Sequence, residues 1–270
     1  MVYGVLRFIN FAHADVFMVG AFIGYYMGKI VPEGTIWGGL LTIFVAMIGC
    51  AILGMTIERV AYRRLRGGPT LNVLITAIGV SLLLEYSGQV FFGAAPRTFP
   101  ALLPSLNFQI SGLVISTNQL AVIILAAILV LGLQFIVYRT KIGTAMRAVS
   151  LNPKAAQLVG VNNDIVISFT FALGSALAAA GGILYALNYP SIDPLMGVMP
   201  GLKAFVAAIL GGIGNIPGAA LGGLILGTVE TFVNGSQWST YKDAIAFAIL
   251  IVILLFRPAG LLGKFTVEKV

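Results

Sequence analysis

The sequence has one cysteine and one histidine in 270 residues, and only 9% of its positions are charged. Cys50 stands alone in an apolar run, so no intrachain disulfide can form. So few soft ligands argue against a His-rich metal site or a Cys–His nucleophile pair. Gly212-Ile213-Gly214 lacks the third glycine of a dinucleotide fingerprint, and no Walker pattern occurs, so the chain itself is expected to bind no ATP and no other cofactor. Ser175 follows Gly174 without the Gly-x-Ser-x-Gly elbow, and the expectation is a protein without catalysis of its own. Met1 to Asp15 lacks the ordered charged, apolar and small-residue regions of a cleaved signal peptide. A soluble domain carries roughly 25% charged residues, and this chain could not cover itself in water.

What fills the sequence instead is hydrocarbon. The apolar set makes up 59% of the chain and the mean hydropathy is +1.01. The runs are apolar on all faces, whereas barrel strands alternate, so the fold expected is all-α: a polytopic transmembrane helical bundle in one domain over residues 1–270. A bilayer core of roughly 30 Å takes about 20 apolar residues. Ile36–Ile57, Thr70–Phe92, Gln119–Tyr138 and Ile165–Tyr189 meet that length, and Phe8–Val31 and Ala244–Phe256 are weaker candidates. Net charge is +7, and the cations cluster at Arg59–Arg66, at Arg139–Lys154 and from Arg257 onward. The positive-inside rule puts those segments in the cytoplasm and Gly93–Asn118, with Ser105, outside. The charge excess is thereby an orientation signal rather than a sign of nucleic acid. From Lys154 to Arg257, both inside, the chain needs an even number of crossings. The break at Gly214-Asn215-Ile216-Pro217 supplies it if residues 202–233 form a hairpin of two short half-helices, because proline cannot continue a helix there. Broken helices survive in a membrane only under protein or beside water, which makes this stretch a candidate pathway wall.

Ionisable groups inside a membrane are costly, so His13 and Asp15, with Asn10 nearby, are candidates for a translocation pathway together with Gly214, Asn215 and Pro217. The competing reading puts His13 and Asp15 in the headgroup region, with Asp15 capping the next helix. Glu85 and Glu230 are expected near the outer interface. Gly214-x3-Gly218-x3-Gly222 and Gly223-x3-Gly227 align small residues for close helix packing. In the loop at about 139–164, Asn152 reads as an N-cap, Pro153 as the first helical residue and Gly160 as a C-terminal stop. Ala155, Ala156, Leu158 and Val159 make this short helix apolar for an exposed loop, which suggests a surface for a partner.

Lys154-Ala155-Ala156-Gln157-Leu158-Val159-Gly160 resembles the Glu-Ala-Ala-x-x-x-Gly loop of ABC importer permeases, with Lys154 in place of the acid. The chain as a whole resembles the permeases of branched-chain amino acid ABC importers. The likeness lies in Leu6 to Asp15, in Arg147 to Gly160, in Met199-Pro200-Gly201-Leu202-Lys203-Ala204-Phe205, in Leu210 to Gly218, and in Phe256-Arg257-Pro258-Ala259-Gly260-Leu261. Ala14 stands where that family has glycine. The resemblance implies a multi-pass protein of the bacterial inner (plasma) membrane, working by alternating access. Its implied partners are a second homologous permease subunit, two cytoplasmic ATPase subunits that bind the ATP, and an external substrate-binding protein. Lys154, Ala155, Ala156, Leu158 and Gly160 would form the ATPase-coupling loop. The same architecture serves urea and short amides, and an ion-coupled secondary transporter using Asp15 or Glu85 is the rival from another class.

Overall fold

A computed structural model describes residues 10–66, 68–104, 106–110, 113–257 and 259–263. The expected positions of Leu6 to Ile9, Ser105, Pro258 and Lys264–Val270 lie outside the described residues. The chain is a helical bundle, and five of its helical segments are long and apolar enough to cross a membrane: Ile36–Leu65, Leu71–Phe92, Thr117–Arg139, Asn163–Asn188 and Ile216–Asn234.

In chain order, α1 is Ala12–Gly28 and α2 is Ile36–Ile57, which runs on through a π turn (Glu58–Tyr62) and a 3-10 turn (Arg63–Leu65). Helix α3 (Thr70–Phe92) is followed by three short strands, β1 (Arg97–Thr98), β2 (Asn107–Ile110) and β3 (Leu113–Ser116). Helix α4 (Thr117–Arg139) starts with a Ser116–Gln119 capping box. Then come α5 (Lys141–Leu151), α6 (Pro153–Leu158), α7 (Asn163–Asn188), β4 (Ser191–Ile192), α8 (Val198–Gly211), α9 (Ile216–Asn234) and α10 (Lys242–Phe256). The ends of α2 and α3 match the hydropathic runs, because each run is bounded by a polar cap or a glycine: Thr35 accepts from the Gly38 N–H, and Gly93 takes φ +85°.

The cations mark one end of the bundle, where α2 ends and α6 lies. Strand β1 pairs antiparallel with β4, Arg97 opposite Ile192, which fastens the α3–α4 connection to the far end of α7. That is the opposite end. The break between α8 and α9 returns to the basic end, since the Leu261 and Leu262 N–H groups, just beyond Arg257, donate to Leu210 O (2.8 Å) and Gly211 O (3.1 Å). Four helices thus connect Lys154 to Arg257, the even count that the charges require. The hairpin is present, but only its first arm is short. At 14 residues α8 spans about 21 Å, whereas α9 has 19 residues and full length. Pro217 sits in the first turn of α9, where its missing N–H leaves no bond unmade.

Helix α7 is the centre of the bundle, packed chiefly on α2 and α1. The contacts are too close for larger side chains. A Cβ on Gly182 would run into the Phe17 carbonyl, and one on Gly54 into Ser175 and the Phe171 carbonyl. Lipid offers no hydrophobic drive between helices, so this intimacy supplies the dispersion contact that holds them. The glycine pattern of α9 is divided. Gly218 and Gly222 face the Gly211 and Ala207 carbonyls, while Gly223 and Gly227 meet nothing within 4 Å. Gly182→Ala should therefore destabilise the detergent-purified protein by about 1–3 kcal/mol through overpacking. Gly227→Ala should stay within about 0.5 kcal/mol, as surface changes do. Thermal midpoints compare the two.

Candidate functional site

Two helices begin inside the bundle. Asp15, in the first turn of α1, accepts a hydrogen bond from Ser81 (2.5 Å), which stands midway along α3. Gly197 and Gly201 at the start of α8 lie against Ala14. The chain enters this depth from the opposite end through a turn in which Leu195 N–H donates to the Asp193 carboxylate (2.8 Å). Among the described residues, neither α1 nor α8 has a side-chain cap at its N-terminus. Their starts carry the positive end of the helix dipole, with the His13 and Ala14 N–H groups bonded to the Asn10 and Phe11 carbonyls and the Val198 N–H to Leu195 O.

A cavity of about 560 Å³ opens beside these two starts, walled further by α7 and α4. Most of its lining is apolar, with Phe17, Leu177 and Phe205 as large members, and its polar groups are Asn10, His13, Ser81 and Glu85. Among the sequence candidates, Asn10 and His13 line it directly. His13 hydrogen-bonds the Gly174 backbone, and its Nδ1 has no partner among the described residues. Asp15 is 1% exposed and sits behind the wall, against Ser81 and Glu85. Phe11, not Asp15, stands at the N-cap of α1. Glu85 lines the cavity. Glu230 is also engaged within the bundle, at 2.9 Å from Lys203 Nζ, which holds Asp243 at 2.7 Å and so joins α8, α9 and α10.

Gly214, Asn215 and Pro217 are elsewhere. They sit at the basic end, where Asn215 Oδ1 accepts from the Gly218 N–H (3.1 Å) and its Nδ2 donates to Leu262 O (2.9 Å). The structure therefore brings Asn10, His13 and Asp15 together and assigns Asn215 to closing the break. Ser81 is not among the sequence candidates, although its spacing of one helical turn from Glu85 inside an apolar run puts both on one face of α3.

The second group of candidates forms a separate surface at the basic end. Asn152 caps α6 by accepting from the Ala155 N–H (3.1 Å), Pro153 is its first residue, and Gly160 beyond it takes φ +87°, as the sequence suggests. Lys154 and Ala155 are exposed, Leu158 is 90% exposed and Val159 78%. Ala156 departs from expectation. It is buried, because the helix must turn one face to the bundle to be held there.

Comparison with known proteins adds the following. A family model described as "Branched-chain amino acid transport system / permease component" matches residues 1–254. The high-affinity branched-chain amino acid transport system permease protein BraD of Pseudomonas aeruginosa is 42% identical over 279 residues, covering 100% of this chain and 91% of BraD. The permease proteins LivH of Escherichia coli K12 and of Salmonella typhimurium are 39% and 40% identical over 281 residues, each covering 100% of this chain and 90% of the relative. No solved structure matches the chain.

Two substitutions separate the cavity from the break. Ala178 lines the cavity, which is of a size to hold one small solute, so Ala178→Trp should cut cellular uptake about tenfold or more with insertion unchanged. Asn215→Ala should instead cost about 1 kcal/mol of stability as a lost cap, with uptake per inserted molecule preserved.

Proposed function

Because the chain belongs to the family of branched-chain amino acid transport permease components, we propose that it is the membrane-spanning subunit of an ATP-driven importer of branched-chain amino acids. The observation that carries this reading is the end-to-end likeness to BraD and LivH, and the geometry agrees with it in two places. The cavity suits a small amphipathic solute. Its walls match an aliphatic side chain, the uncapped starts of α1 and α8 suit a carboxylate, and Glu85 suits an ammonium group. Asn10 and His13 would meet the solute directly, with Asp15 behind them. At the basic end, α6 leaves Ala155, Leu158 and the adjoining Val159 exposed. Here this end faces the cytoplasm, and α6 enters a groove on an ATPase subunit.

The complete assembly in this reading has a second homologous permease subunit, two ATPase subunits that bind ATP, and an external substrate-binding protein. ATP-driven closure of the ATPases moves α6, and the helices rock about the cavity in alternating access. The cationic ends of α2, α4 and α10 hold the subunit in this orientation.

Ala155→Glu tests the docking surface. It would bury an unpaired charge in the groove, which is costly whatever the groove's shape. Expression and insertion should survive, while co-purification of the ATPases and uptake should both fall sharply. Lys154→Ala should have little effect, since an exposed rim charge contributes about 0–1 kcal/mol. Normal recruitment and uptake by Ala155→Glu would remove α6 as the coupling surface.

A further inference from the structure

Between α6 and the cavity runs a series of polar contacts joined by short stretches of backbone. It starts where Asn163 Nδ2, in the first turn of α7, donates to the carbonyl of Pro153 at the head of α6 (2.9 Å). The next residue, Asp164, holds Arg63 and Arg66, the latter at 2.6 Å through Nη1. The other arm of the Arg66 fork pairs with Glu58. Glu58 is 0% exposed, and its second oxygen accepts from Ser168 Oγ (2.5 Å), one turn further along α7. Both oxygens of a fully buried carboxylate are thus occupied, the condition under which such a charge is tolerable.

Glu58 also opens the π turn. The Arg63 N–H bonds to the Glu58 carbonyl five residues back. Tyr62 closes the turn, with its ring against Phe171 (centroids 5.4 Å) and its hydroxyl donating to Asn10 Oδ1 (2.7 Å). Asn10 lines the cavity. A π turn is a strained insertion that recurs at functional sites. Its return to α geometry rotates everything beyond it by about 100°, one residue's worth of helix. A switching element needs two discrete arrangements, which a chain of contacts alone does not provide.

We infer that Glu58, Arg66 and Tyr62 are positioning residues that carry movement of α6 to the cavity, with the π turn Glu58–Tyr62 as the element that switches. This rests on the reading of α6 as the ATPase-facing helix. When α6 is displaced, Asn163 and Asp164 go with it and pull on the Arg66 fork. Glu58 transmits the pull to the π turn, and Tyr62 moves Asn10 at the cavity wall. Arginine is required at position 66 because its planar fork grips Asp164 and Glu58 at once, which a lysine ammonium on its flexible stem cannot reproduce.

The test uses the complete importer in proteoliposomes, with ATP hydrolysis and uptake of radiolabelled leucine measured on the same sample. The variants are Tyr62→Phe, which removes one hydroxyl and keeps the ring, and Arg66→Lys, which keeps the charge. Both should recruit ATPases at the wild-type level and hydrolyse ATP within about twofold of it, while uptake per ATP falls by about tenfold, within the usual range of coupling between sites. Unchanged uptake per ATP in both would overturn the link. So would loss of insertion or recruitment in Tyr62→Phe, which would mark a merely structural contact. If Arg66→Lys does not insert, Tyr62→Phe decides alone. Failure of the docking reading is read separately, from Ala155→Glu, which leaves the π turn untouched.

Discussion

In hydrocarbon a backbone N–H or C=O has no water to fall back on, and each one left unmatched costs several kcal/mol. The architecture of this chain follows from where it can afford irregular backbone. Helices that face outward, α4 above all, are continuous over their whole length. The break between α8 and α9 is closed on itself and on the tail. Asn215 caps one arm, and Leu261 and Leu262 satisfy the carbonyls that end the other. The interior starts of α1 and α8 are uncapped, and they border the cavity. Close glycine contacts at Gly54 and Gly182 hold the scaffold around them, so two helix starts and open space coincide in one place.

Much of this was legible in the sequence. Apolar runs bounded by Thr35, Gly93 and Ser116 placed α2, α3 and α4 within two residues, because the bilayer sets their length and the caps set their ends. Charge parity required an even number of crossings, and Pro217 showed where the hairpin turns. The start of α8 at depth was not legible, since it depends on Gly197 and Gly201 lying against Ala14 and carries no local cap. Pairings between distant helices were also hidden. Nothing in the spacing says that Lys203 meets both Glu230 and Asp243, or that Glu58 is buried under Arg66. The candidate site divided along the same line. Asn10, His13 and Asp15 belong together because they are neighbours in sequence, whereas joining Asn215 to them assumed that every break in a helix meets the solute.

The two functional surfaces lie on different levels of one scaffold. The cavity is formed by α1, α3, α4, α7 and α8, and α6 is attached to the N-terminus of α7 through Asn163. Helix α7 therefore touches both, and a displacement of its basic end cannot leave the cavity wall unchanged in so tightly packed an interior. No ATP site is needed in this chain for that movement. In the proposed reading, the exposed Leu158 and Val159 receive the force from a partner.

The energy source is the most direct measure of the account. The chain, reconstituted in sealed proteoliposomes with its companion permease, ATPases and binding protein, is offered leucine outside under two conditions: ATP in the lumen with the proton gradient collapsed, or an imposed proton gradient without ATP. Accumulation only with ATP is the expected result. Accumulation driven by the proton gradient alone would make Asp15 and Glu85 a proton-coupling pair and contradict the importer account.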